Sequence, residues 1–273
     1  MNILTFKRNF YNELGYITDQ NGIFTRYNRE KKNWDEHLEK CKNYIISFCE
    51  NNSTENIVIL GSGWLLDVPI EYLSKRFKKV YLIDVNHPIN IKKLQRSYSN
   101  LEFIVDDITG GIAKLAQQSV LDFKKTKTKV ELSEFEKVYY KQNIYDSSII
   151  SLNILNQLDI IIIDYLKQYK IYAEQEILQL RTIIQNNHIQ FLSKNRTCLI
   201  SDIEEYIINK NDIIEKTNQL VHCQLPIGKN SKEWIWKFDT KMRYIDNKKT
   251  YFKVLATELI NQQTINKKTM TKN

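Results

Sequence analysis

Ile57-Val58-Ile59-Leu60-Gly61-Ser62-Gly63 is an apolar run that stops at two glycines, and Val80-Tyr81-Leu82-Ile83-Asp84 is a second run that stops at an acid. The first reads as a buried strand, and its glycines allow an abrupt turn while the backbone passes close to a ligand. Asp84 lies 21 residues beyond Gly63, where a second parallel strand would end beside the first. A carboxylate there can accept hydrogen bonds from both hydroxyls of a ribose. Strand, glycine turn, helix and acid-tipped strand together predict a nucleotide-binding opening.

The same rhythm continues outward. Asp67 occupies an N-cap position with Pro69 in the first helical turn, where a missing N–H is harmless; Ile70, Leu73 and Phe77 then share the apolar face of that helix. Pro88 opens the next helix, and Leu101–Val105 is a third strand ending at Asp106-Asp107, ahead of a Gly110-Gly111 turn. These strands recur about every 22 residues, as parallel crossovers require. Residues 112–145 read as partly helical. Ser147–Leu152 is a fourth strand with Asn153 at its carboxyl end. A helical region over about 172–194 leads to a fifth strand, Arg196–Ser201, ending at Asp202. Trp234–Phe238 and Tyr251–Thr257 are two later β segments, with Trp234, Trp236 and Phe238 alternating onto one side.

Residues 1–55 read as helical. Trp34, Leu38, Cys41, Ile45 and Phe48 fall at spacings of 4, 3, 4 and 3, one face of a helix. Trp34 and His37 share a face, and Arg26 and Arg29, three residues apart, share a side.

Composition narrows the classes. Of 273 residues, 42% are apolar and 26% charged, as in an ordinary globular domain, and seven Gly with three Pro argue against a loop-rich all-β fold. The net charge of +8 is spread out; its densest clusters are Lys124–Lys129 and a tail carrying Lys267, Lys268 and Lys272. The Lys124–Lys129 run reads as a solvated loop, and neither cluster has the interleaved aromatics of a nucleic-acid surface, although salt-dependent attraction to RNA remains a third reading. Cys41, Cys49, Cys198 and Cys223 form no C-x-x-C pair, so no metal site and no disulfide framework is expected. The aliphatic run Ile160–Ile163 is far short of the roughly 20 residues of a membrane span. A soluble, cytoplasmic protein is expected.

Polar groups close every proposed strand (Gly61, Asp84, Asp106-Asp107, Asn153 and Asp202), at the sheet edge where open parallel sheets bind ligands. On these residues the chain resembles the class I, Rossmann-like S-adenosylmethionine-dependent methyltransferases. Val58-Ile59-Leu60-Gly61-Ser62-Gly63 matches that family's first motif, Val80–Asp84 the second, and Phe103-Ile104-Val105-Asp106-Asp107 the third. Ser151-Leu152-Asn153 stands at the fourth. The resemblance implies a mostly parallel seven-stranded sheet in the order 3-2-1-4-5-7-6, with helices on both faces and a helical amino-terminal extension. It implies domain limits of 1–55 for that extension or lid, 56–260 for the Rossmann-like domain, and 261–273 for a disordered basic tail.

Carried over, the resemblance puts Gly61, Ser62 and Gly63 against S-adenosylmethionine, Asp84 on its ribose, and Asp106 or Asp107 on its adenine. Asn153 and Asp202 become candidate catalytic residues near the acceptor. Arg26, Arg29, His37 and His87 become candidate lid or substrate contacts, with His87 alternatively capping the helix at Pro88. Two departures stand out: Leu65 replaces the family's third glycine and Ile59 its usual acid. A NAD-binding Rossmann fold would also need a third small residue, and Leu66 occupies that place. The expected activity is methyl transfer to a small-molecule acceptor. The alternative is a binding or scaffold protein of the same fold that has lost turnover.

Overall fold

The computed structural model of the chain describes residues 10–141, 144 and 146–259. The basic tail expected over 261–273 lies outside the described residues.

Eight strands form one sheet: β1 (Asn56–Leu60), β2 (Lys79–Asp84), β3 (Leu101–Val105), β4 (Ser147–Leu152), β5 (Thr197–Ile208), β6 (Ile214–Gln219), β7 (Gly228–Asp239) and β8 (Lys249–Leu259). Their order is β3-β2-β1-β4-β5-β8-β7, with β6 paired to β5 off this path. β1 to β5 are parallel, while β6, β7 and β8 pair antiparallel. The architecture is Rossmann-like, in the expected order, with one strand more than the seven expected. The extra strand is β6, whose Ile-Glu-Lys-Thr-Asn-Gln sequence is exposed at every position but one. It has no buried face, so it shows no period of two.

Alternation within β1 divides the core. Val58 and Leu60 face one cluster, which includes Ile112, Leu166 and Leu180 from the helices α4 (Ile112–Thr126), α6 (Ile160–Gln168) and α7 (Glu174–Leu192). Ile57 and Ile59 face the other, with Trp34, Ile45 and Phe48 from α1 (Tyr16–Glu50) and Leu73 from α2 (Ile70–Arg76). Helices therefore cover both faces, which explains the near-continuous apolar strands. The short α3 (Ile89–Lys92) follows Pro88, and α5 (Leu132–Glu136) lies within the stretch read as partly helical. Among the described residues, no helix is long and apolar enough to cross a membrane.

α1 runs for 35 residues, starting after Gly15 in a left-handed conformation (φ 96°). The expected stripe of Trp34, Leu38, Cys41, Ile45 and Phe48 is buried throughout. Trp34 Nε1–H donates to the Phe238 carbonyl (2.8 Å), and its ring meets Trp236 edge-on, centroids 4.7 Å apart.

Three local expectations are corrected. Asp67 does not cap α2, whose N-cap is Pro69 with no side-chain cap; its carboxylate instead accepts a hydrogen bond from Asn153 Nδ2 (2.8 Å). β5 does not stop at Ser201. It passes a register shift between Asp202 and Glu204 and continues to Ile208, so Asp202 sits inside the strand. The Lys124–Lys129 cluster is not all loop, since Lys124 and Lys125 lie in the last turn of α4. Lys124 stacks on Tyr169, and Lys129 pairs with Glu176 (2.6 Å).

Candidate functional site

Register brings the strand ends together. Leu60 pairs with Ile83 on one side and Ser151 on the other, so Gly61 emerges between Asp84 and Leu152. Gly61 N–H donates to the Ile83 carbonyl (3.0 Å), and Asp106 N–H donates to the Asp84 carbonyl (3.1 Å). Asn153 N–H donates to the Ile200 carbonyl (2.8 Å), which ties the tip of β4 to β5 just before Asp202. A cavity of about 360 Å³ opens at this edge, a small-molecule size.

The glycine turn shows why its residue types matter. Gly61 and Gly63 have φ of 77° and 45°. A Cβ on Gly61 would lie 3.0 Å from Ile154 Cδ1 and 3.1 Å from the Leu152 carbonyl oxygen, so both space and conformation demand glycine there. Leu65 is also left-handed, at φ 55°, the conformation a third glycine would take without strain. Its side chain, however, is buried in the core cluster around Trp34 and does not line the cavity. Trp64 lines the cavity without closing it: its ring stacks on Phe24 (4.4 Å), and its Nε1–H donates to the Gln20 carbonyl (2.7 Å). Trp64 thus fastens the first half of α1 across the opening.

Of the sequence-predicted residues, Gly61, Ser62, Gly63, Asp84, Asp107, Asn153, Asp202, Arg26 and His37 line this cavity. Asp84 Oδ2 accepts from Gly63 N–H (2.8 Å), and Gln20 Nε2 lies 3.5 Å from its Oδ1. Burial pushes the Asp84 carboxyl up to about 6, against the backbone donors around it. Asp107 and Asp106 part company. Asp107 lines the cavity, held through Oδ1 by the backbone N–H (2.9 Å) and hydroxyl (2.6 Å) of Thr109. Its buried carboxylate also has the Tyr11 hydroxyl as a neighbouring donor, whereas Asp106 lies outside the lining and accepts from Asp107 N–H (2.9 Å).

Arg29 and His87 also lie outside the lining. Arg29 reaches back to Asp239 (3.0 Å). His87 bridges the glycine turn to β3, with Nε2–H donating to the Ile104 carbonyl (3.0 Å) and Nδ1 3.5 Å from Ser62 Oγ. Its position neither caps α3 nor touches the opening.

The far end of the cavity is aromatic and acidic. Trp236, Phe238, Phe252 and Tyr244 form a wall, with the Arg26 guanidinium over the rings of Phe238 (4.6 Å) and Tyr244 (4.9 Å). Asp202 is 2% exposed, and burial, reinforced by the neighbouring Asp67 charge, pushes its carboxyl up to about 8. The cavity thus holds Asp67, Asp84, Asp107 and Asp202, with Asp19 at its exposed rim, against the single guanidinium of Arg26. A chain of net charge +8 has an acidic hollow.

One group of metal-ligand types occurs among the described residues: His37, Cys41 and Asp67 offer atoms within 4.8 Å of one another. His37 does not suit a metal there. Trp234 Nε1–H donates to its Nδ1 (3.1 Å), so the one proton of the neutral ring sits on Nε2 and no lone pair is left. Burial keeps that ring neutral by pulling its pKa down to about 3.

Sequence reasoning missed Asp67, Gln20, Trp64 and Asn156 as lining residues. Asp67 looked like a helix cap, and Gln20 on the distant α1 carries no signal that could have placed it.

No family model and no curated protein matches the chain. Among solved structures, it is similar to the N-methyltransferase NodS from Bradyrhizobium japonicum WM9 in complex with S-adenosyl-L-homocysteine, at 9% identity and a TM-score of 0.38 over 80% of this chain and 86% of that one. It is also similar to the Burkholderia thailandensis 1,6-didemethyltoxoflavin-N1-methyltransferase (10% identity, TM-score 0.39, 90% and 88% coverage). The plantazolicin methyltransferase BamL gives 11% identity and a TM-score of 0.37, over 96% of this chain and 100% of that chain. Superpositions at this level leave the reading of the site to its own geometry.

Proposed function

We propose that the chain transfers a methyl group from S-adenosylmethionine to a small-molecule acceptor. The observation that carries this reading is the convergence on one cavity of the glycine turn, Asp84 and the buried Asp107 carboxylate, whose Oδ2 has a lone pair to spare beside the Tyr11 hydroxyl. A nucleoside fits those groups. Its adenine amino group would satisfy the Asp107 oxygen, and its ribose hydroxyls would use lone pairs of Asp84 that the Gly63 bond leaves free. Gly61 and Gly63 would let the methionine portion pass close to the backbone. The bound cofactor supplies a methyl group already activated on a sulfonium, so the protein's task is to align the acceptor and exclude water. The acidic cavity favours that cationic centre.

Three alternatives are less well supported. A dinucleotide would want its pyrophosphate at a helix N-terminus directly after the glycines, but the chain runs on without helix from Gly61 to Pro69 before α2 begins. A nucleic-acid acceptor would have to bring phosphates to a carboxylate-lined opening. The inactive reading rested on Leu65, which turns into the core and leaves the cavity clear.

Calorimetry with S-adenosylmethionine and with S-adenosylhomocysteine tests the reading. Micromolar binding is expected, and Asp84→Ala should weaken it at least about tenfold, ~1.4 kcal/mol. No heat with either ligand would sink it. Binding without methyl transfer to any acceptor pool would favour the scaffold alternative.

A further inference from the structure

The acceptor end of the cavity holds unmet hydrogen-bond acceptors. Asp202 Oδ1 and Asn153 Oδ1 are buried without partners, and both residues line the cavity. Asn153 Nδ2 is committed to Asp67 Oδ2 (2.8 Å), which leaves Oδ1 as the free atom of that amide. One donor, Trp236 Nε1–H, is unpartnered in the same wall. The wall itself is formed by Trp236, Phe238, Phe252 and Tyr244, with the Arg26 guanidinium over the rings of Phe238 and Tyr244. Two acids and a spare carbonyl are the chemistry that recognises a cation bearing N–H groups. A carboxylate acceptor would meet Asp67 and Asp202 as like charges. An alcohol has a single O–H to offer and no charge to neutralise two acids.

We infer that the methyl acceptor is an amine, whose nitrogen sits against the Asp202 and Asp67 carboxylates inside the aromatic wall and loses its proton to Asp202. This rests on the methyl-transfer reading above. An amine arriving as an ammonium has no lone pair to attack with, so a base is needed. The incoming ammonium favours the ionised form of Asp202, which holds a proton in the empty site; the carboxylate then takes one N–H proton and becomes a neutral carboxylic acid, leaving the free amine. The nitrogen lone pair then forms the new N–C bond as the C–S bond breaks. The sulfur keeps that electron pair as a thioether, and the positive charge passes from sulfur to the methylated nitrogen. Burial and the Asp67 charge, which favour the protonated form of Asp202, suit it to hold that proton. Asp67 and the Asn153 carbonyl orient the remaining N–H groups.

The test is calorimetric titration of the full chain, with and without saturating S-adenosylhomocysteine, using 2-phenylethylamine and tryptamine against the matched alcohols 2-phenylethanol and tryptophol. The amines should bind at least tenfold more tightly than their alcohols. Asp202→Asn, which keeps the shape of the side chain, should abolish that preference while S-adenosylhomocysteine affinity stays within twofold. Asp67→Asn provides a second variant and should weaken amine binding severalfold. Normal S-adenosylhomocysteine binding with equal affinity for amines and alcohols, or an amine preference that survives Asp202→Asn, overturns the amine assignment alone. An amine preference that needs Asp202 but no S-adenosylhomocysteine binding in the wild type supports the amine site and overturns the methyl-transfer reading instead.

Discussion

Gly63 N–H donates to Asp84 Oδ2 at 2.8 Å, so the second glycine of the turn and the acid at the tip of β2 are one rigid unit. The bond places the carboxylate beside the turn and draws it towards the cavity, at the cost of burying a charge. That cost is visible in the carboxyl pKa of about 6.

A ligand whose hydroxyls donate to Asp84 needs the ionised form. Affinity for S-adenosylhomocysteine should therefore fall as pH drops from 7 to 5, by up to about tenfold per unit below 6. Asp84→Asn should bind weakly and lose most of this dependence. A flat profile in the wild type would contradict it.

Asp202 should set the pH dependence of stability above neutrality. Its folded pKa of about 8 exceeds the unfolded carboxylate value, so the folded state holds the extra proton. The stability this gives is full below about 4 and is lost as pH rises through 8. The buried His37 and His188, both pulled down to about 3, act in the opposite sense, but their effect is complete once pH passes the unfolded histidine value near 6.5. Thermal melts of the ligand-free protein should therefore fall from pH 7 to 8.5. Asp202→Asn should melt higher than wild type at pH 8.5, by about 2–4 °C per kcal/mol recovered, with the gap closing towards pH 6.

Leu65→Gly restores the small residue of the family pattern, yet it should destabilise. Releasing a leucine from a left-handed conformation recovers about 1–2 kcal/mol. Emptying its place in the core beside Trp34 costs about 2–5 kcal/mol, and the packing loss wins. Urea unfolding should show a lower midpoint with nucleoside affinity little changed. A stabilised variant would mean that strain dominates.

Arg29→Ala should leave nucleoside and amine affinities within twofold, because Arg29 lies outside the cavity. It should lower stability by about 1–3 kcal/mol, since the Asp239 side chain is fully buried and would keep only the N–H donors of Arg243 (2.6 Å) and Tyr244 (2.7 Å). A selective loss of acceptor binding would instead place Arg29 in the site.

Strand positions could be read from the sequence because parallel strands buried on both faces are continuous apolar runs, and their ends are marked by residues such as Gly61, Asp84 and Asn153; the order of the strands came from the family resemblance. The same logic failed where burial was absent. β6 has almost no buried residue, and the outer half of β5 carries Glu204 and Glu205 on a partly exposed arm. Within the site, Asp106 and Asp107 were indistinguishable because adjacent residues differ only in direction, which backbone geometry after β3 decides. Asp67 was misread because an acid two residues before Pro69 suits a cap as well as a cavity. His87 and Arg29 carried chemistry-bearing side chains, but their partners, Ile104 and Asp239, are remote enough in sequence to be invisible there.

α1 is a single unbroken rod whose second half is embedded in the core through Trp34, Ile45 and Phe48, while its first half spans the cavity and is pinned by Gln20 to Trp64. A rod held so firmly at one end cannot swing as a door. Widening of the opening is therefore expected to come from fraying of its first turns, ahead of and around Gly22, and not from a hinged movement of the whole helix.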